Sequence, residues 1–161
     1  MALILQHKVY AYVTQGPRLL VLRHPGAPEA GLQLPGGSLE EGEAPAVGAL
    51  REAAEETGLG GLRLVAHLGT VDFPVPALGR LFRRHFFHLV CDAETPELWH
   101  HDEATPSDGT PGPIPLEFFW VALPGGVPPM APGHDVFLPA LCARLGLTAA
   151  PAPVRCPPRD E

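Results

Sequence analysis

The run Arg51-Glu52-Ala53-Ala54-Glu55-Glu56 places three carboxylates beside one guanidinium. At about 100° per residue, Glu52, Glu55 and Glu56 share one face of a helix. Like charges at that spacing repel by roughly 0.2–0.5 kcal/mol per pair, and acids near a helix C-terminus oppose its dipole. Something must offset the crowding. Arg51 supplies one positive charge and can hold a neighbouring glutamate through a bidentate contact. A hard divalent ion offsets more, because Mg²⁺ takes oxygen ligands, uses few carboxylates and shares its other positions with water and substrate phosphates. Carboxylates gathered against their own repulsion point to a metal site.

The cluster also keeps fixed distances to other marked residues. Gly37 is followed after five residues by Glu43, Glu43 after seven by Arg51, and Gly58-Leu59 closes the run. With ordinary residue frequencies, seven such positions coincide by chance on the order of once in 10⁸ starting points. An isolated acidic helix face would read as a solvated surface; this one is not isolated.

The elements around the cluster must present it. A helix fits residues 44–57, with Pro45 in the first turn and Gly58 as the stop. Val47, Leu50 and Ala54 fall opposite the glutamates and are expected to pack this helix on a sheet. Upstream, residues 7–14 and 18–23 read as a hairpin across Gln15-Gly16-Pro17. Residues 32–37 form a short extended run, whose Pro35-Gly36-Gly37 bends the backbone and allows close approach. Downstream, residues 62–73 and 81–91 read as strands, the second mixing apolar and basic residues on both faces, so its buried face stays open. The polar, Pro-rich residues 94–115 read as a loop. Phe118-Phe119-Trp120 opens a strand whose aromatics suit a core. A helix is expected at 135–145, with Pro139 confined to its first turn. The loose alternation suggests a mixed sheet packed between helices.

Composition narrows the function. The chain has 161 residues, 45% hydrophobic and 18% charged, with a net charge of −7. That length suits one domain, expected over residues 1–146, followed by a flexible Pro-rich tail at 147–161. The acidic balance argues against polymeric nucleic acid as a partner, whereas a small phosphorylated ligand is compatible once a metal neutralises it. Cys91, Cys142 and Cys156 lie far apart, show no metal-ligand spacing and leave one unpaired in any disulfide scheme, as expected of a reducing compartment. The first residues form too short an apolar run for a signal peptide, and no stretch approaches a membrane span. A cytoplasmic protein without a membrane partner is the expectation.

The segment from Gly37 to Leu59 matches, at every charged and glycine position, the Nudix box Gly-x5-Glu-x7-Arg-Glu-U-x-Glu-Glu-x-Gly-U, in which U is a bulky aliphatic residue. Ala53, smaller than the usual U residue, is the one departure, and it bears on packing more than on chemistry. The chain thus resembles the Nudix hydrolase family, over residues 5–146. The resemblance implies an α/β fold, a Nudix-like α/β/α sandwich with a mixed β-sheet between helices. It implies an Mg²⁺- or Mn²⁺-dependent pyrophosphohydrolase acting on a nucleoside diphosphate linked to X, with a nucleoside triphosphate, in a housecleaning role, as first candidate. Glu55 and Glu56 would be principal metal ligands, joined by the Gly36 carbonyl, with Glu52 a ligand or base. Arg51 would orient a glutamate of the box, and Glu43 would stabilise the loop or position water. The family often uses a further acid outside the box, for which Glu103 and Glu117 are candidates. Arg23, Arg83 and His85, on flanking strands, are candidates for binding the substrate. The alternative is a non-catalytic Nudix domain that binds a nucleotide or a protein partner; the intact acidic set disfavours it, since a binder has no need to keep these charges together. A homodimer through the apolar first strand or the Leu-rich last helix is a further possibility.

Overall fold

Ala11, Tyr12, Val13 and Thr14 are consecutive and all buried in strand β1 (Ile4–Gln15), the mark of a strand covered on both faces. In the computed structural model, which describes residues 2–103 and 113–147, β1 is central. It is followed by β2 (Arg18–Arg23), β3 (Gly36–Ser38), α1 (Pro45–Thr57), β4 (Leu62–Val75), β5 (Arg80–Cys91), β6 (Leu98–Glu103), β7 (Ile114–Ala122) and α2 (Leu138–Arg144). The strands form one sheet in the order β4-β5-β1-β2-β7-β6, with β3 also on β1. β1 runs parallel to β5 and antiparallel to β2, so the sheet is mixed.

Each face has its own core. On one, Val9, Ala11, Leu20, Phe87, Leu89 and Phe118 meet Ala49 and Ala53 of α1; on the other, Tyr12, Leu19, Val21 and Phe86 meet Leu141 of α2. This is the α/β/α arrangement expected from the sequence. Among the described residues no helix is long and apolar enough to cross a membrane. Cys91 and Cys142 are free thiols.

The feature that makes a site is a fork in β1. Its first half pairs with β3, Lys8 opposite Ser38 and Tyr10 opposite Gly36. Its end pairs with β2, Thr14 opposite Leu19. Where β2 and β3 part company the sheet opens, and a cavity of about 560 Å³ fills the gap.

Several expectations need correction. The packing face of α1 is not Val47, Leu50 and Ala54: Ala49, Ala53 and Thr57 are buried, Leu50 is partly so, and Val47 and Ala54 lie exposed. The glutamates do not sit opposite the sheet; Glu52 and Glu56 flank the packing face and are half-buried. Small Ala53 is what lets the helix come down on the strands. Residues 94–115 are not all loop, since β6 pairs with β7 from Leu98 opposite Phe119 to Glu103 opposite Ile114. The open question about β5 resolves along its length rather than across it: Phe86, Phe87, His88 and Leu89 are buried on both faces, and Arg83, Arg84 and His85 occupy the less covered first half. α2 starts at Leu138, three residues later than expected, which places Pro139 in its first turn. Of the two apolar surfaces offered for a dimer, the last helix packs Leu138, Leu141 and Leu145 into the second core, while central β1 leaves Ile4 and Leu5 at its start exposed. The expected tail lies outside the described residues, apart from Leu147.

Candidate active site

Arg51 holds one side of the acidic cluster. Its Nε and Nη2 donate to the two carboxylate oxygens of Glu43 at 2.7 and 2.8 Å, while Nη1 donates to Glu52 at 3.0 Å and Glu55 at 3.2 Å. Glu43 also accepts the Glu40 backbone N–H at 3.1 Å. The Arg51 hydrogen bonds, then that of Glu40, pull the Glu43 carboxyl down to about 2. Glu43 is thus the anchor of the loop before α1 and is turned toward Arg51, not toward the cavity. Glu55 is exposed beside Arg51.

Glu56 lies in the opposite environment. It borders the cavity together with Glu103, Gly36 and Gly37. Burial first, and then the neighbouring Glu103 carboxylate, hold its carboxyl well above the ordinary range. Glu52 is raised as well, by burial against the opposing pull of Arg51. Gly37 leaves room for the backbone to lie against these acids, since a Cβ there would meet the Glu52 carboxylate.

Strand β6 brings in the acid from outside the helix. Side chains alternate along it, so Trp99, His101 and Glu103 share the α1 face. The last carbonyls of a helix lack intrahelical partners, and β6 meets two of them: Trp99 Nε1 donates to Thr57 O at 3.0 Å, and His101 Nδ1 lies 2.9 Å from Glu56 O. One strand step beyond His101, Glu103 reaches the cavity beside Glu56.

These residues fit a hard divalent cation. Every side-chain donor is a carboxylate oxygen, the acids outnumber local cations, and Gly37 leaves the space that a side chain would fill. Among the described residues no three His, Cys, Asp or Glu side chains already converge on one ion position. An ion such as Mg²⁺, which keeps several waters, does not demand such a cage.

The other candidates are placed elsewhere. Arg23 pairs with Glu117 and lies 4.9 Å from the Phe119 ring centre. Arg83 makes a bidentate pair with Asp72 at 2.8 and 3.0 Å. His85 contacts His7 and Thr70, each at 3.0 Å. None borders the cavity. Glu117 is held below the usual carboxylate range, by Arg23 foremost, and it also meets His100 at 3.1 Å; it projects from the face of β7 opposite Leu116, which does line the cavity. Sequence reasoning missed Lys8, Tyr10 and Gln33, which line it. Only the pairing of β1 with β3 reveals Lys8 and Tyr10, because in the linear pattern they are ordinary members of a strand.

The NUDIX domain model matches residues 5–141. No curated protein matches significantly. Solved structures do. The chain is similar to the MutT protein from Methanosarcina mazei Go1, with 20% identity, 91% of this chain and 98% of that one covered, and a TM-score of 0.61. It is similar to a MutT NUDIX hydrolase from Burkholderia pseudomallei, with 21% identity, 84% and 96% covered, and a TM-score of 0.56. A bifunctional NMN adenylyltransferase/ADP ribose pyrophosphatase from Francisella tularensis, complexed with AMP and a manganese ion, shares 19% identity over 88% of this chain and 42% of its own, with a TM-score of 0.54. These structural likenesses agree in fold, and the family match extends over most of the sequence, from the first strand into the last helix: the chain belongs to the NUDIX domain family, the Nudix hydrolases, which cleave phosphoanhydride bonds.

Proposed function

We propose that the protein is a divalent-metal-dependent pyrophosphohydrolase that cleaves a nucleoside diphosphate linked to X, with a nucleoside triphosphate as first candidate substrate. The observation that carries this reading is Glu56, half-buried beside Glu103 at the wall of a substrate-sized cavity and under the influence of Glu52. A volume of about 560 Å³ is in the range of small-ligand pockets, and we favour one nucleotide in it over a larger conjugate.

Glu56, Glu52 and the Gly36 carbonyl would hold the ion, Mg²⁺ or Mn²⁺, with Glu103 beside them. When bound, it supplies charge neutralisation on the diphosphate and a lowered pKa for water. The Francisella relative's manganese supports that choice of metal. Arg51 fixes the Glu52 carboxylate through its Nη1. Because Glu103 borders the cavity and Glu52 does not, we assign proton abstraction from the attacking water to Glu103. Gly36 and Gly37 let the phosphates approach the acids, and the apolar wall of Leu22, Leu34 and Leu116 excludes water from the rest of the cavity. A cytoplasmic location is part of this proposal, on three widely spaced cysteines that leave one unpaired in any disulfide scheme.

A panel of nucleoside triphosphates, nucleotide sugars and ADP-ribose, with the products separated by chromatography, tests the proposal. Phosphate or pyrophosphate should be released with Mg²⁺ or Mn²⁺ and not with chelator. Calorimetric binding of nucleotide without turnover under either metal would instead favour a binding domain.

A further inference from the structure

At the fork the chain changes partners, and Leu34 is where it does so. Gln33 exchanges both of its backbone hydrogen bonds with Leu22 of β2, each at 2.9 Å. Two residues later Pro35 O accepts the Ala11 N–H of β1 at 2.8 Å, and Pro35 has no N–H of its own to give. Leu34, between them, is 2% exposed. A buried backbone N–H must find an acceptor, and here it is a side chain: Leu34 N–H donates to Nδ1 of His134 at 3.0 Å.

His134 lies in the turn between β7 and α2 and is itself buried. The turn is tied down on several sides. His134 N–H donates to Ala131 O at 3.0 Å, Ala131 N–H donates to Leu32 O at 2.7 Å, and the Tyr12 hydroxyl donates to His134 O while accepting the Phe137 N–H at 3.1 Å. Because a backbone N–H can only donate, Nδ1 is the acceptor and the ring is the neutral tautomer protonated on Nε2. Burial first, and then the Arg84 guanidinium, hold the imidazole down at about 4, so the acceptor is present at neutral pH. What the bond steadies is the approach to the acidic cluster. With Pro35 O turned to Ala11, the alternation of a strand turns the amide of Gly36 the other way, and the Gly36 N–H donates to the Glu56 carboxylate. The Tyr10 ring fills the corner: it meets His134 edge-on at 4.8 Å between centres, and a Cβ on Gly36 would stand 2.6 Å from it.

We infer that His134, far outside the Gly37–Leu59 segment, is a positioning residue of the candidate active site: its hydrogen bond to Leu34 sets the Leu34-Pro35-Gly36 backbone so that Gly36 meets Glu56. This rests on the pyrophosphohydrolase reading for what Glu56 then does, although the backbone link is measurable without metal or substrate.

The test uses the full chain and two readouts, amide hydrogen exchange at Gly36 in chelator and Mn²⁺ affinity by calorimetry. His134→Leu removes the acceptor, His134→Gln carries it past the Nδ1 position, and His134→Asn places a carbonyl oxygen near where Nδ1 stood. Tyr12→Phe loosens the same turn and leaves the acceptor in place. In the Leu and Gln variants Gly36 exchange should quicken about tenfold or more, and Mn²⁺ binding should weaken about ten- to a hundredfold, as is usual on losing a partner that orients a metal ligand. Asn should stay within about threefold of wild type on both readouts. Tyr12→Phe should lower the urea midpoint and leave both readouts unchanged. If His134→Leu fails to fold, Gln against Asn carries the test. Unchanged Gly36 exchange in His134→Gln, or unchanged Mn²⁺ affinity where the wild type binds the ion, would overturn the inference. So would losses in Asn or Tyr12→Phe equal to those in Gln, since the turn as a whole, not the Nδ1 acceptor, would then be responsible. The expected exchange pattern in a protein that binds no Mn²⁺ and cleaves no nucleotide would support His134 while defeating the hydrolase reading. Nucleotide cleavage with wild-type Mn²⁺ affinity in every variant would do the reverse.

Discussion

Glu43 and Glu56 belong to one glutamate-rich stretch and meet opposite treatment. Glu43 receives a bidentate guanidinium at 2.7 and 2.8 Å and the Glu40 backbone N–H at 3.1 Å, so its charge is answered within the chain. At half-buried Glu56, burial and the Glu103 carboxylate outweigh the Gly36 backbone N–H and Lys8, which act the other way. The difference shows how this helix divides its labour. Arg51 neutralises the loop side, and on the proposed reading a cation from solution completes the cavity side. A helix with every glutamate paired would be more stable and would bind nothing.

The largest effect should come from removing the cavity-side charge. Glu56→Gln keeps size and shape, yet takes away one carboxylate from the ion. Activity should fall by several orders of magnitude, on the order of 10³ or more. Wild-type thermal stability should rise with added Mg²⁺, by about 2.7 kcal/mol at a hundred times the dissociation constant, and the variant should lose most of that rise. Without metal the variant should match or exceed wild type, because a buried like-charge contact is gone. If Mg²⁺ shifts the unfolding temperature of both proteins equally, Glu56 is not a ligand.

A smaller effect separates the two acids outside the helix. Glu117 is engaged by Arg23 and His100 on the opposite face of β7, whereas Glu103 shares the cavity with Glu56. Glu103→Gln should lower kcat by about 10²-fold or more, the usual worth of a general base. Glu117→Gln should leave kcat within about twofold and cost at most about 1 kcal/mol of stability. Equal kcat losses in the two variants would remove the distinction that β6 is held to create.

The opening hairpin, strands β4, β5 and β7, the helix with its Pro45 entry and Gly58 stop, and the acidic cluster were legible in the sequence, because each rests on local pattern. The packing face of α1 was not. A helical wheel sets charge against apolar residues and so assigned Val47 and Ala54 to the core; it does not know that Ala49 and Ala53 win by being small enough for close approach. Strand β6 was hidden by the prolines and polar residues around it. Its alternation of Trp99, His101 and Glu103 has the period of a strand, but two of those residues read as loop chemistry until their partners, the Thr57 and Glu56 carbonyls, are in view. The choice between Glu103 and Glu117 and the presence of Lys8 depended on register. Which face of a strand a residue takes is decided by its neighbours across the sheet, and one step along the strand reverses it.

The smallest effect returns to the two glutamates through pH. The Glu43 carboxyl sits at about 2 in the folded chain against an ordinary 4.5, so its contribution is present above 4.5 and is lost as pH falls toward 2. Glu56 is displaced the other way. Its contribution is present in full below its ordinary value and is lost as pH rises through the raised one. In chelator, urea midpoints measured from pH 2 to 8 should therefore separate the two. Glu43→Gln should be less stable than wild type near neutrality and converge with it toward pH 2, flattening the acid limb. Glu56→Gln should keep that limb and instead flatten the fall on the alkaline side. Parallel curves for wild type and Glu43→Gln would mean that Arg51 holds the loop without drawing on the charge of Glu43, and the contrast between the two corners would then rest on Glu56 alone.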